Sequence, residues 1–201
     1  VASEIADAAG GAIEAYKNDE AAQEPEITGR MLGAIADRFR SKCIGGINWN
    51  AKTLRTARGA SNEEERHGAD FLVVLDIQMH NFAVKKGFLA QAKRAEPGTV
   101  LGTADWKRLS TQCTKMLEIT AASFVVAYSK ERGIRYFPAI DILGSNRMDL
   151  FEHYDRGVQG FFELFLECFI GDGRLNKADI GVLDELHNLE LDYVLELKGA
   201  M

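Results

Sequence analysis

The stretch Gly68–Arg94, GADFLVVLDIQMHNFAVKKGFLAQAKR, contains the two apolar runs that decide the fold. The run DFLVVLDI is rich in apolar and β-branched residues, which is typical of a buried strand, and GFLAQAKR predicts the next strand. The residues MHNFAVKK between them predict a turn or a short excursion. The first run opens on a carboxylate and the second closes on a lysine, although a lone ammonium in an apolar core is strongly disfavoured.

Antiparallel pairing of these two strands would bring several polar groups to one edge of the sheet. The start of the first strand would lie beside the end of the second, so Asp70 would face Gln91 and Lys93. Gln91 and Lys93 are two residues apart, and they therefore project from the same face of their strand. The backbone carbonyl of Ala92 faces the same region. We expect these four residues to form one polar cluster.

The elements around this strand pair predict an α/β fold with a mixed sheet. The segment EITGRMLGAIADRF predicts an amphipathic helix, because apolar residues recur at every fourth position from Ile27 to Phe39. Residues 44–54 predict a first strand, so that three consecutive strands would form an antiparallel meander. The helix ADWKRLSTQCTKMLEIT would then cross over to a parallel strand, and a further strand follows.

This pattern divides the chain into three parts. Residues 1–23 predict an N-terminal helix and a charged linker, residues 24–145 the α/β core, and residues 146–201 a C-terminal helical extension. The extension has too many phenylalanines for one narrow apolar stripe, and such an excess marks either a core layer or a partner. We therefore expect it to cover the sheet and to contribute to a homo-oligomer, most simply a two-fold dimer.

The composition predicts a soluble globular protein without a membrane span. The chain has 201 residues and a formal net charge of −6, which is not the basic excess of a dedicated nucleic-acid binder. Its three cysteines are far apart and fit no zinc or disulfide pattern, so we expect buried, reduced thiols in a cytoplasmic protein. No apolar run reaches the length of a membrane span.

The expected polar cluster has the composition of a magnesium site. Asp70, the side-chain oxygen of Gln91 and the Ala92 carbonyl are the hard oxygen ligands that Mg²⁺ prefers, with Mn²⁺ as an alternative. Because glutamine carries no charge, a further acid is expected nearby. Two glutamates are candidates, namely Glu26 at the start of the first amphipathic helix and Glu65 in the polar segment just before Asp70.

The sequence GAD…QAK, with a preceding helical glutamate, resembles the PD-(D/E)xK (restriction-endonuclease-like) nuclease superfamily in its QxK variety. The order helix, three strands, helix, strand is similar to that superfamily's core over residues 24–141. The resemblance implies an endonuclease fold with Asp70, Gln91 and Lys93 as catalytic residues and Glu26 as the helical acid. Most members carry Glu or Asp where Gln91 stands.

The resemblance extends to one further residue in two branches of the superfamily. In relatives similar to Mrr-like restriction nucleases and anti-phage defence effector nucleases, a glutamine on the following helix joins the site. Gln112, in STQCTKM, matches that glutamine. The resemblance to these branches implies a role in restriction or anti-phage defence, under the control of a sensor domain or a regulatory partner.

Two functions are therefore expected as alternatives. The first is a Mg²⁺-dependent endodeoxyribonuclease of relaxed sequence specificity, with RNA as an alternative substrate, in which Lys93 positions the attacking water. The second is a catalytically silent nuclease-fold module that binds nucleic acid or serves in assembly, because Gln91 leaves one fewer negative charge. Basic residues on either side of the cluster are candidate phosphate contacts. They are Lys52, Arg55, Arg58, Lys85, Lys86, Arg94, Lys107 and Arg108.

Overall fold

A computed structural model describes residues 1–55, 68–178 and 191–201 of the chain. Two helices and then four strands come first, and helices and strands are mixed in the rest of these residues. The helices are α1 (Ala2–Lys17), α2 (Glu24–Arg38), α3 (Thr103–Ile119), α4 (Ala139–Gly144) and α5 (Val158–Leu166). The strands are β1 (Lys42–Ile44), β2 (Ile47–Arg55), β3 (Phe71–Met79), β4 (Phe82–Arg94), β5 (Ser123–Ser129), β6 (Gly133–Pro138), β7 (Arg156–Gly157) and β8 (Tyr193–Ala200). A 3-10 turn spans Leu150–Glu152.

The strands form one eight-stranded mixed sheet in the order β1-β2-β8-β3-β4-β5-β6-β7. Strand β3 lies near the middle, antiparallel to β4 and parallel to β8. Its residues from Phe71 to Leu75 are all buried, because the strand has apolar side chains on both faces and a neighbour at each edge. Helix α3 connects β4 to the parallel strand β5, so the predicted crossover is confirmed.

Helices cover both faces of this sheet. Helices α1, α2 and α5 pack on one face, around a core that includes Ile27, Phe88 and Phe161. Helices α3 and α4 pack on the other face, around a core that includes Leu89 and Leu109. Gln91 and Lys93 alternate with Ala90 and Ala92 along β4, so their side chains belong to the same face as that of Leu89.

The C-terminal extension differs from the predicted helical one. Tyr193–Ala200 is strand β8, and it lies between β2 and β3 instead of forming a helix on the sheet. The predicted helix also covers residues 179–190, which lie outside the described residues, and a short apolar run such as that of β8 cannot be assigned by periodicity alone. Within residues 146–178, the helix is limited to Val158–Leu166, because Gly157 at its N-cap is extended.

The predicted three-strand meander is also corrected by β8. Strand β2 pairs antiparallel with β1 and β8, and it has no direct pairing with β3. Only the β3–β4 hairpin of the predicted meander is formed. The segment IRYFPAIDIL is likewise a strand only as far as Pro138, after which α4 begins.

The surface of the extension carries less apolar area than the sequence predicts. Phe161, Phe162 and Phe165 are buried between α5 and the sheet, whereas Phe169 is 78% exposed. The core therefore absorbs most of the apolar excess from which the homo-oligomer was expected, and the oligomer stays a prediction. None of the helices in the described ranges combines the length and apolar character that crossing a membrane requires.

The cysteines are only partly as expected. Cys113 on α3 is buried, but Cys43 and Cys168 are exposed. Both exposed thiols lie outside the packed layers, since Cys43 is on the edge strand β1 and Cys168 follows the end of α5 with a positive φ of 68°.

Candidate active site

Asp70 and Gln91 are in direct contact at the edge where β3 begins and β4 ends. Asp70 donates its backbone N–H to the Ala90 carbonyl at 2.8 Å, which continues the β3–β4 ladder by one residue. Its carboxylate oxygen Oδ2 accepts a hydrogen bond from Gln91 Nε2 at 2.6 Å and another from the Ala92 N–H at 2.7 Å. The antiparallel register that the sequence predicts therefore brings these residues together.

The Gln91 side chain is 2% exposed and has only one end of its amide satisfied. Its Nε2 donates to Asp70 and, at 3.2 Å, to the Ala92 carbonyl. Its oxygen Oε1 is buried and accepts no hydrogen bond from the described residues. A buried acceptor without a donor costs about 1–3 kcal/mol, so this oxygen is placed as if for a cation or a donor.

Lys93 lies beside a carboxylate from α2, and that carboxylate is not the predicted one. The Lys93 ammonium is 3.6 Å from Glu24 Oε2. The other Glu24 oxygen accepts the Arg94 N–H at 2.9 Å, so Glu24 bridges the first turn of α2 to the end of β4. The lysine is 8% exposed, and the glutamate gives its charge a partner in this buried position.

Glu26, the glutamate that the resemblance implies as the helical acid, serves the helix instead. Its Oε2 accepts the N–H groups of Ala22 and Gln23 at 2.9 Å and 3.1 Å, which closes a capping box over the start of α2. These hydrogen bonds lower the pKa of the exposed Glu26 carboxyl. A glutamate three residues after the N-cap is the sequence signal for this capping role. With Glu26 used in the cap, Glu24 is the glutamate of this turn that contacts the site.

Buried hydroxyls hold Glu24 in position under the site. The Thr28 hydroxyl donates to the Glu24 carbonyl at 2.8 Å and lies 2.8 Å from the Tyr128 hydroxyl of β5. Burial raises the pKa of Tyr128 well above its ordinary value, so this hydroxyl stays protonated and can donate to Thr28. The chain of hydroxyls therefore fixes the first turn of α2 against the sheet.

The electrostatics of the cluster centre on Asp70. Burial raises the pKa of its carboxyl to about 7, while the Ala92 N–H and the Lys93 charge act in the opposite direction. The nearby carboxylates Glu24 and Asp192 raise the pKa further. A carboxyl that titrates near neutral pH in such a cluster is typical of sites that bind cations or transfer protons.

Helix α3 closes the cluster from the other side. Gln112 is buried on its inner surface, next to Cys113. Burial raises the pKa of the Cys113 thiol to about 12, and the charge of Lys93 reduces that effect. The thiol is therefore protonated, and it lies close enough to Lys93 for the lysine charge to lower its pKa. Gln112 thus lies on the helix that faces the site, as the resemblance implies.

The basic residues expected to contact phosphates are distributed unevenly. Arg94 follows Lys93 directly, and Arg55 ends β2 beside Tyr193, over whose ring it lies at 5.9 Å. Lys86 is not at the site, since it is buried on the opposite face of β4. The remaining described ones are on the surface: Lys52 pairs with Glu196, Lys85 with Asp76 and Arg108 with Asp105, and Lys107 is exposed. Arg58 and Glu65 lie outside the described residues.

Asp192 is, like Glu24, a residue at this site that the sequence pattern misses. Its backbone N–H donates to the Asp70 carbonyl at 2.9 Å, directly before β8 begins. The position is reached only through the long-range pairing of β8 with β3, and no local pattern indicates it. In the described ranges, no three side chains of His, Cys, Asp or Glu converge as a metal-binding group. The Asp70 carboxylate contacts the Gln91 amide, and Asp192 is near enough for its charge to raise the pKa of Asp70. Carboxylate and amide oxygens are ligands that suit a hard cation.

Comparisons of the chain with protein-family models, with curated proteins and with solved structures found no match.

Proposed function

We propose that this protein is a Mg²⁺-dependent nuclease, with Mn²⁺ as an alternative cofactor, that hydrolyses phosphodiester bonds in DNA. The observation that carries the proposal is the contact of Asp70 with Gln91 at the same sheet edge as the buried Lys93–Glu24 pair. A buried lysine is costly to maintain for stability alone, and so is a buried amide oxygen that finds no donor among the described residues.

Each residue of the cluster has a role in this proposal. Asp70 and Gln91 would hold the cation through their oxygens, and the bound cation would supply Lewis acidity and charge neutralisation at the phosphate. Lys93 orients the attacking water and carries a positive charge toward the phosphate. Glu24 holds the Lys93 ammonium in place and keeps its charge paired before substrate binds.

The phosphate backbone would lie across the sheet edge. Arg94 and Arg55 bracket the cluster along the β2-β8-β3-β4 part of the sheet, and Lys107 lies on the exposed side of α3. Contacts of this kind position a nucleic acid without reading its sequence, which supports relaxed specificity. We extend the proposal to a cytoplasmic effector of restriction or anti-phage defence, controlled by a sensor domain or partner, on the resemblance stated above.

The proposal is tested with circular DNA, linear DNA and RNA, each with and without Mg²⁺. We expect Mg²⁺-dependent nicking of circular DNA by the parent chain and none by Asp70→Ala. Asp7→Ala is the control, because it removes an exposed carboxylate from α1 on the opposite face of the sheet. Nicking by Asp70→Ala at the parent rate would contradict the site, and cleavage of RNA alone would correct the substrate.

A catalytically silent, nucleic-acid-binding module is the second candidate, and the Gln91 amide favours it. Its Nε2 already donates to Asp70 Oδ2, so the pair is held together without a cation. Gln91→Glu separates the two candidates, because it restores the carboxylate of most superfamily members. Cleavage that appears only in Gln91→Glu would support the silent module, whereas Mg²⁺-dependent cleavage by the parent chain would exclude it.

A further inference from the structure

The inserted strand β8 brings a second carboxylate next to Asp70. Strands β3 and β8 are parallel, with Phe71 opposite Tyr193, so that Asp70 and Asp192 are neighbours one residue before the pairing begins. Asp70 accepts the N–H groups of both Asp192 and Tyr193 on its backbone carbonyl, at 2.9 Å and 3.1 Å. Neighbouring strands are about 4.8 Å apart, so the two carboxylates start from adjacent backbone positions.

Three adjacent strands therefore place oxygen-bearing side chains in one row. The row runs from Asp192 before β8, through Asp70 before β3, to Gln91 near the end of β4. Asp192 is close enough to Asp70 for its charge to add to the rise of the Asp70 pKa that burial causes. The buried Gln91 Oε1, which accepts no hydrogen bond from the described residues, belongs to the amide that touches Asp70.

We propose that Asp192 is the second carboxylate ligand of a divalent-cation site formed with Asp70 and Gln91. The inference rests on the proposed function in one respect. That function requires a further acid at the cation site because Gln91 is uncharged, and Asp192 is that acid. Two carboxylates and one amide oxygen, completed by water, make a donor set that suits Mg²⁺ or Mn²⁺. A cation between the two carboxylates also removes the repulsion that their closeness imposes.

Two glutamates of α2 near the cluster have contacts of a different kind. Both oxygens of Glu24 face β4, one toward the Arg94 N–H and one toward the Lys93 ammonium. Glu26 accepts two N–H groups at the start of α2. Asp192 lies directly beside Asp70 in the register of the parallel strands, and its backbone N–H donates to the Asp70 carbonyl.

The test measures Mn²⁺ binding to the full chain in the absence of nucleic acid, from the electron paramagnetic resonance signal of free Mn²⁺. We expect Asp192→Asn to raise the Mn²⁺ dissociation constant by about tenfold or more. Asp7→Asn is the matched control, because it makes the same charge change at an exposed position of α1, and it should bind as the parent does. An unchanged dissociation constant in Asp192→Asn would overturn the inference.

A second variant keeps the test decisive if Asp192→Asn fails to fold. Asp192→Ser also removes the carboxylate and, like Asn, keeps the backbone N–H that donates to Asp70. The same loss of affinity is expected, and parent affinity in this folded variant would equally overturn the inference. Circular dichroism on the same preparations identifies which variant is folded.

The readout also separates this inference from the proposed function. If Asp192→Asn binds Mn²⁺ more weakly than the parent does, and the parent cleaves no nucleic acid, the cation site is supported and the nuclease function is rejected. A parent chain that cleaves DNA, with Mn²⁺ affinity unchanged in Asp192→Asn, would reject Asp192 as a ligand and leave the nuclease standing.

Discussion

Strand β4 carries two buried lysines, and their surroundings are opposite in kind. Lys86 is 5% exposed and Lys93 is 8% exposed, so burial does not distinguish them. They are seven residues apart, an odd number, and the alternation of a strand therefore places them on opposite faces of the sheet. Their partners show that a structural role explains the burial of only one of the two lysines.

Lys86 is satisfied by the fold around it. Its ammonium donates to the carbonyl oxygens of Phe165 and Ile170, the second at 2.7 Å, and lies 4.8 Å from the centre of the Phe165 ring. Carbonyls at the end of a helix lack partners within the helix, and Lys86 supplies donors to the end of α5. Gly171 leaves room for the lysine stem, since a Cβ there would lie 2.9 Å from Lys86 Cδ.

Lys93 has charged neighbours instead of carbonyls. It pairs with Glu24 and lies within electrostatic range of Asp70 and Cys113. The partner is a carboxylate on an adjacent helix, and the surroundings include the Gln91 amide oxygen, which accepts no hydrogen bond from the part of the chain that the structure describes. A buried lysine is therefore a functional candidate only when helix capping or a similar structural contact does not already explain its burial.

The largest expected effect separates the two lysines by activity. Lys93→Met keeps most of the apolar stem and removes the charge, so cleavage should slow by about 10²–10⁴ if a positioned charge or proton-transfer group is lost. Lys86→Met is the matched control on the same strand, and it should nick circular DNA near the parent rate. Equal nicking rates for the two variants would contradict a catalytic role for Lys93.

The second effect concerns the charge that Lys93 faces, and it is read from the pH dependence of stability in EDTA. The folded chain keeps the Asp70 proton up to about pH 7, whereas the unfolded chain loses it near 3.8. The unfolded state therefore binds fewer protons in this window, and the free energy of unfolding should fall as pH rises from about 4 to about 7. At about 1.4 kcal/mol for each pH unit, the fall is at most about 4 kcal/mol.

Asp70→Asn tests this dependence directly, because asparagine can keep both hydrogen bonds and does not ionise. Urea unfolding at a series of pH values should show a smaller decrease from pH 4 to 7 in this variant, and higher stability than the parent at pH 8. A parent-like decrease in Asp70→Asn would assign the pH dependence to other groups.

The third effect compares the two lysines by stability. Lys86→Met removes the ammonium donor from the Phe165 and Ile170 carbonyls, of which the first still accepts the Cys168 N–H. We expect a loss of about 1–3 kcal/mol in the free energy of unfolding. In Lys93→Met, Glu24 still accepts the Arg94 N–H, so the free energy of unfolding should change less than in Lys86→Met. Urea unfolding of both variants measures the difference, and a larger loss for Lys93→Met would make that lysine the structural one.

The smallest effect concerns the two glutamates of α2. Glu26→Ala should lower the melting temperature slightly and leave nicking unchanged, because its carboxylate only caps the helix. Glu24→Ala should slow nicking, because Lys93 then loses the carboxylate that holds it. The reverse pattern would restore Glu26 as the helical acid of the site.

The β3–β4 hairpin shows how far local pattern reaches. Two apolar runs joined by a short connection pair antiparallel, and the pairing places Asp70 beside Gln91 and puts Lys93 on the same face. The candidate Glu26 could have been assigned to the helix by one further local rule, the capping box. The burial of Lys86 was not predictable, because its partners lie in the last turn of α5 and just after it, about eighty residues later in the chain.

Local sequence patterns are enough to predict the helical period of α2 and α3, the β3–β4 hairpin and, through its register, the contact of Asp70 with Gln91. Hydrogen bonds between near neighbours and side-chain periodicity encode these features. Only the tertiary structure decided that β8 lies between β2 and β3, and hence that Asp192 adjoins Asp70. The reason is that pairing between strands distant in sequence depends on which edges remain open after the local elements have formed, and neither strand's own pattern records this.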